Sequence, residues 1–140
     1  MRYFQQFDET DCGAACLAMI ASHFGIMLQI ASIRNDAGTD VDGTNLKGLI
    51  KAAEQYNLKA RAVKGEHKAI TSAIRTPFIA HLKIEFDEIH WTYHYVVVKH
   101  IGKKKIEIWD PRIHFKKRKK LVMKNFLNGG LVMLCFLSQT

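Results

Sequence analysis

The sequence predicts an α+β domain, with helices in its first half and antiparallel strands in its second. Up to about Tyr56 the apolar residues recur at helical spacing between capping and stopping residues. After Pro77 they gather in short β-branched and aromatic runs separated by polar or glycine-containing turns. Such segregation argues for helices packed on one face of an antiparallel sheet instead of a doubly wound α/β fold, and it puts the natural site in the cleft between the two halves. With 140 residues and 48% hydrophobic composition, the chain suits one domain over residues 1–140.

The first helix is expected from an N-cap at Asp11 through Cys12, Cys16, Leu17, Met19, Ile20 and Phe24 to a stop at Gly25. A shorter one fits Gln29 to Asp36, ended by Gly38, and a third runs from a cap at Thr44 through Leu46, Leu49, Ile50 and Ala53 to about Tyr56. Leu58 to Val63 alternates like a strand, and Lys68 to Ile74 suits a short helix before Pro77. Further strands are expected at Phe78 to Ile84, Thr92 to His100, Lys105 to Trp109 and Leu131 to Leu137.

Composition narrows the function classes. Three cysteines, Cys12, Cys16 and Cys135, make a poor disulfide framework and suit a reducing, intracellular compartment. Met1 leads into polar residues, so no signal peptide is expected, and the longest apolar stretch, Leu131 to Leu137, is far too short to span a bilayer. The net charge of +8 is concentrated in Lys103 to Lys105 and in Lys116 to Lys120. A run of that kind is more often a solvated turn or strand edge than a nucleic-acid or membrane contact. Cys12, Cys16 and His23 share one segment, but their spacing fits none of the usual zinc ligand pairs, and no metal is expected.

Cys12 stands where a helix N-terminus would favour a thiolate, through unpaired N–H groups and the helix dipole, and Gly13 beside it would let a substrate backbone approach the sulfur. Most free cysteines are nonetheless small buried hydrophobes, so position alone favours a core residue. That description fits Cys16 better still. A cysteine nucleophile needs a base and a group to orient it. Among seven histidines His94 stands out, because it opens Tyr95-Val96-Val97-Val98 and a buried strand would hold its ring. A hairpin through Gly102 would return Asp110 to His94, although Asp110-Pro111 also reads as a simple turn. An oxyanion needs an amide donor, and chemistry alone does not choose between Gln5 and Gln6.

Gln6-Phe7-Asp8-Glu9-Thr10-Asp11-Cys12-Gly13-Ala14-Ala15-Cys16-Leu17-Ala18-Met19-Ile20 resembles the start of the bacteriocin-processing peptidase family C39, the N-terminal domains of peptidase-containing ABC transporters. Asp42-Gly43-Thr44, His94 to Val98 and Asp110-Pro111 match the family's remaining motifs in order. The resemblance implies a papain-like cysteine protease fold. It also implies Cys12 as nucleophile, His94 as general base, Asp110 as the group orienting it and Gln6 as oxyanion donor. The implied substrate is a bacteriocin, lantibiotic or pheromone-type precursor, cut after Gly-Gly, Gly-Ala or Gly-Ser on the cytoplasmic face of the membrane. The implied partners are the transmembrane and nucleotide-binding domains of an ABC transporter, with ATP used by the latter, no cofactor in this domain and no nucleic acid. Some relatives lack the cysteine and only dock leaders, which is the alternative reading. Glycine at both positions before the cut suits a narrow channel beside Cys12 and His94 that excludes larger side chains; Trp91, Tyr93 and Trp109 flank these residues but read as core packing and are left unassigned.

Overall fold

A computed structural model of the chain describes residues 1–65, 75–85, 88, 91–112, 119–122 and 131–138. Three helices come first: α1 (Cys12–His23), α2 (Ile30–Ala37) and α3 (Leu46–Gln55). Six strands follow: β1 (Leu58–Gly65), β2 (Phe78–Glu85), β3 (Trp91–Ile101), β4 (Lys105–Trp109), β5 (Lys119–Val122) and β6 (Leu131–Ser138). The strands form one antiparallel sheet in the order β1-β6-β2-β3-β4-β5. The expected α+β order therefore holds, and the helix ends fall close to the expected residues. The short helix expected over residues 68–74 lies outside the described residues, as do residues 116–118 of the basic run. Lys119 and Lys120 belong to β5, the strand at one end of the described sheet.

The interior explains why α1 is so short of polar residues. Every residue from Gly13 to Ala21 is buried, and a helix apolar all round is stable only when packed on every side. It lies between β3 on one side and α2 and α3 on the other. Leu17, Met19, Ile20, Ile33, Leu49 and Ala53 fill the space with Ile79, Tyr95 and Val97 from the sheet. The opposite face of the sheet carries a second cluster, with Phe78, Ala80, Val96, Val98, Ile106 and Ile108 buried. The helices pack on one face, as expected, and the central strands are covered on the other face as well. This is the physical reason Tyr95-Val96-Val97-Val98 is continuously apolar instead of alternating.

Two helix ends differ from the expected caps. Thr44 does not cap α3, because its hydroxyl meets that of Thr39 and its carbonyl accepts from the Tyr95 hydroxyl at 2.7 Å. Asn45 takes the N-cap position, its side-chain oxygen accepting from the Gly48 N–H at 2.7 Å. Asp11 does precede α1, after a 3-10 turn over Glu9–Asp11, yet makes no capping hydrogen bond to it. Gly25 and Gly38 end their helices at φ of 81° and 70°, a left-handed region that favours glycine.

Candidate active site

The site lies where the N-terminus of α1 meets the sheet. His94 is held on β3, opposite Leu82, and Asp110 directly follows β4. The β3–β4 hairpin closes with the Gly102 N–H donating to the Lys105 carbonyl at 2.8 Å. Val97 lies opposite Trp109 in that hairpin, so Asp110 comes back alongside the start of the apolar run. His94 Nε2 and Asp110 Oδ1 are 2.8 Å apart, and both residues are about 95% buried, at 4% and 5% exposure. Asp110 is held in turn by Arg112, whose backbone N–H donates to Oδ1 at 2.9 Å and whose Nη2 donates to Oδ2 at 3.0 Å. With Nε2 engaged, the ring's Nδ1 is left for Cys12.

Electrostatics separates these groups from ordinary ones. Burial pushes the Cys12 thiol up, but hydrogen bonds with His94 and with the Tyr95 and Gly13 backbone, together with the His94 charge, more than reverse it, and the net shift is downward. For His94 burial acts downward, and Asp110 and Cys12 outweigh it, so the imidazole is held above its ordinary value. Burial likewise raises Asp110, and the hydrogen bonds of His94 and Arg112 together with the His94 charge pull its carboxyl well below the usual carboxylate range. Opposite shifts on adjacent thiol and imidazole are what a thiolate–imidazolium pair produces.

Gln6 joins the group through its backbone, whose N–H donates to the Pro111 carbonyl at 3.1 Å. Its side-chain Nε2 donates to the Asp8 carbonyl at 2.9 Å, while its buried Oε1 has no partner among the described residues. Gln5 is exposed, whereas Gln6 is half-buried. Cys16 lies fully buried in the helical core, where burial first and then the Cys12 and Asp110 charges raise its thiol well above the ordinary value. Gly13 has a packing role in the fold. A Cβ there would meet the Tyr95 ring at 3.2 Å and Leu49 at 3.3 Å, so its missing side chain lets α1 pack against β3.

A cavity of about 260 Å³ opens beside Cys12, bounded by Thr44, Val41, His81, Tyr93 and Tyr95. The His81 ring stacks on Tyr95 at 4.2 Å between centroids and lies 4.9 Å from Tyr93. Burial, and then the His94 charge, holds His81 down at about 4. Tyr93 thus lines the cavity, Trp109 is packed in the core, and the side chain of Trp91 lies outside what is described. His81 and Val41 escaped sequence reasoning. Nothing in the residues of β2 marked His81, whose pairing with Tyr95 comes only with the sheet.

Helices set against an antiparallel sheet, with a cysteine at the helix N-terminus facing a buried histidine, define a papain-like cysteine peptidase. The chain belongs to the Peptidase C39 family, whose pattern matches residues 1–135. It is 38% identical over 78% of its length to the pediocin PA-1 transport/processing ATP-binding protein PedD of Pediococcus acidilactici, and 34% identical over 99% to the lactococcin-A transport/processing ATP-binding protein LcnC of Lactococcus lactis subsp. lactis. It spans only 15% and 19% of those proteins. Among solved structures, the peptidase domain of Streptococcus ComA, a bifunctional ABC transporter, superposes with a TM-score of 0.85 at 27% identity, covering 99% of this chain and 100% of that one. A double glycine motif protease from an AMS/PCAT transporter, solved with the leader peptide, gives 0.82 at 28% identity, covering 98% and 91%. Among the described residues no helix is long and apolar enough to cross a membrane.

Proposed function

We propose that this domain removes the leader of a double-glycine precursor peptide by thiol catalysis, with Cys12 as nucleophile, His94 as acid and base, Asp110 as the group orienting it and Gln6 as an oxyanion donor. The observation that carries the reading is His94 set between Asp110 and Cys12, with thiol and imidazole shifted toward the ion pair. The Cys12 thiolate attacks the carbonyl carbon of the second glycine, forming a C–S bond. The resulting oxyanion takes hydrogen bonds from Gln6 Nε2 and the Cys12 backbone N–H. As the C–N bond breaks, His94 gives its proton to the departing amine, which carries away the mature peptide. Water then attacks the thioester while His94 takes its proton, the C–S bond breaks, and the leader leaves as a carboxylic acid with the thiolate restored.

Substrate selection follows from the cavity. The stacked His81 and Tyr95 rings and Tyr93 make a close aromatic wall beside the sulfur, which suits residues without side chains and disfavours larger ones. Val41, 89% exposed at its rim, offers an apolar contact to the leader, for which an amphipathic helix is the expected form. The relatives' lengths support a place for residues 1–140 as one domain of a longer ABC transporter at the cytoplasmic face of the membrane. Its transmembrane and nucleotide-binding domains would then be the partners. ATP would act in the latter, with no cofactor in the peptidase domain. Mass spectrometry of a double-glycine precursor incubated with wild type and with Cys12→Ala tests the proposal. Cleavage after the glycine pair by wild type alone is expected, and binding without cleavage by both proteins would point instead to a leader-docking domain.

A further inference from the structure

Asp11 is the most buried carboxylate described, 1% exposed, and the thiol–imidazole chemistry does not use it. As the residue before α1 it would ordinarily cap the helix, but its carboxylate turns back. Oδ2 accepts from the backbone N–H groups of Phe7 and Asp8, both at 3.1 Å, and Oδ1 is paired with Arg34 of α2. Arg34 also reaches the exposed carboxylate of Asp8 at 3.1 Å. The segment held in this way is the one between Gln6 and Cys12. Asp8, whose N–H Asp11 grips, supplies the carbonyl that accepts from Gln6 Nε2 at 2.9 Å, and the same carbonyl accepts from the Asp11 N–H at 3.1 Å.

We infer that the Asp11–Arg34 pair is a positioning device for the oxyanion site: it fixes the loop that carries the Gln6 amide relative to the Cys12 sulfur. This rests on the proposed role of Gln6. The chemistry favours a carboxylate over a neutral side chain here, because one buried group must accept two backbone N–H bonds while also gripping a guanidinium, and only an ionised carboxyl accepts at every position. Arg34 pairs the buried charge of Asp11, and it ties the loop to α2, 23 residues away in sequence. An amide displaced by a fraction of an ångström still binds its neighbours but meets the oxyanion poorly, so the loss falls on kcat and spares substrate binding.

The test is a mutant cycle on the 140-residue chain with a double-glycine precursor peptide, reading kcat and KM separately. Arg34→Gln is expected to lower kcat about 10- to 100-fold with KM nearly unchanged, Arg34→Lys to lose less, and Arg34→Gln in a Gln6→Ala background to cost almost nothing more. Equal losses in both backgrounds, or a raised KM at unchanged kcat, overturn the inference while leaving the role of Gln6 intact. If Gln6→Ala alone keeps full kcat, the oxyanion role itself falls and the inference with it. Thermal melts accompany each variant. If Arg34→Gln does not fold, Asp11→Asn with Arg34→Gln removes both charges together and is read in the same two backgrounds with the same criteria.

Discussion

The first turn of α1 and the turn after it carry one cysteine each, on the same helix and against the same strand. Burial pushes both thiols up. At Cys12 the hydrogen bonds and charge of His94 and the backbone of Tyr95 and Gly13 reverse that push, while at Cys16 no such partner lowers the thiol and the charges of Cys12 and Asp110 add to the push. One helical turn therefore separates a thiol arranged to ionise from one arranged to stay neutral. Reactivity here is a property of what faces the sulfur more than of the helix that carries it.

The widest separation between the two is expected in catalysis. Cys12→Ala should lower kcat by about 10⁵-fold or more, the scale on which nucleophile loss falls in triad enzymes, whereas Cys16→Ala should keep kcat within about threefold, as a core change away from the reacting atoms should. Both are read by quantifying precursor cleavage. A comparable loss in the two variants would erase the distinction. Asp110→Asn comes next, at about 10²- to 10⁴-fold in kcat. Removing that charge takes away a cause that raises His94, and a lower imidazole in turn withdraws support from the Cys12 thiolate.

The same sign argument governs thiol titration. Because Cys12 is lowered, its alkylation by iodoacetamide should reach half-maximal rate below the ordinary thiol value of about 8.5. Cys16, raised and fully buried, should stay unreactive across that range in the folded protein. In Asp110→Asn the Cys12 midpoint should move up, toward the ordinary value. Peptide mapping of the alkylated sites separates the two cysteines, and a Cys12 midpoint at or above 8.5 in wild type would break the electrostatic account.

Much of this was legible from the residues. The apolar periodicities placed every described helix and, apart from β5, every described strand, because each is set by local burial. The hairpin through Gly102 put Asp110 beside His94 for the same local reason. The order of the sheet was not legible: β6, last in the chain, inserts between β1 and β2, and long-range pairing leaves no mark on either strand. Nor was the two-sided burial of the sheet foreseen, although the unbroken run Tyr95 to Val98 carried it. In the site, the proposed roles of Gln6 and Asp110 came from resemblance, since spacing alone favoured a simple turn at Asp110-Pro111 and left Gln6 open as a surface residue. Arg34 and His81 were missed because their partners, Asp11 and Tyr95, lie 23 and 14 residues away in sequence, and only the fold joins them.

The smallest effect bears on what Cys16 does instead. It sits at 0% exposure with Ala15, Leu17 and Met19 in the helical core, where the side chain counts as volume. Cys16→Ala removes one buried sulfur and leaves part of its space empty, which should cost about 1–2 kcal/mol of stability. In urea denaturation the midpoint should fall while the slope stays unchanged, since the surface exposed on unfolding is nearly the same. Cys12→Ala has a weaker claim on stability, because Cys12 is only half-buried at the edge of that core and gives up interactions suited to an ion pair more than to packing. A stability loss at position 12 as large as that at position 16 would mean that Cys12 is also structural. The expected outcome is the reverse ranking, with position 12 dominating kcat and position 16 dominating the urea midpoint.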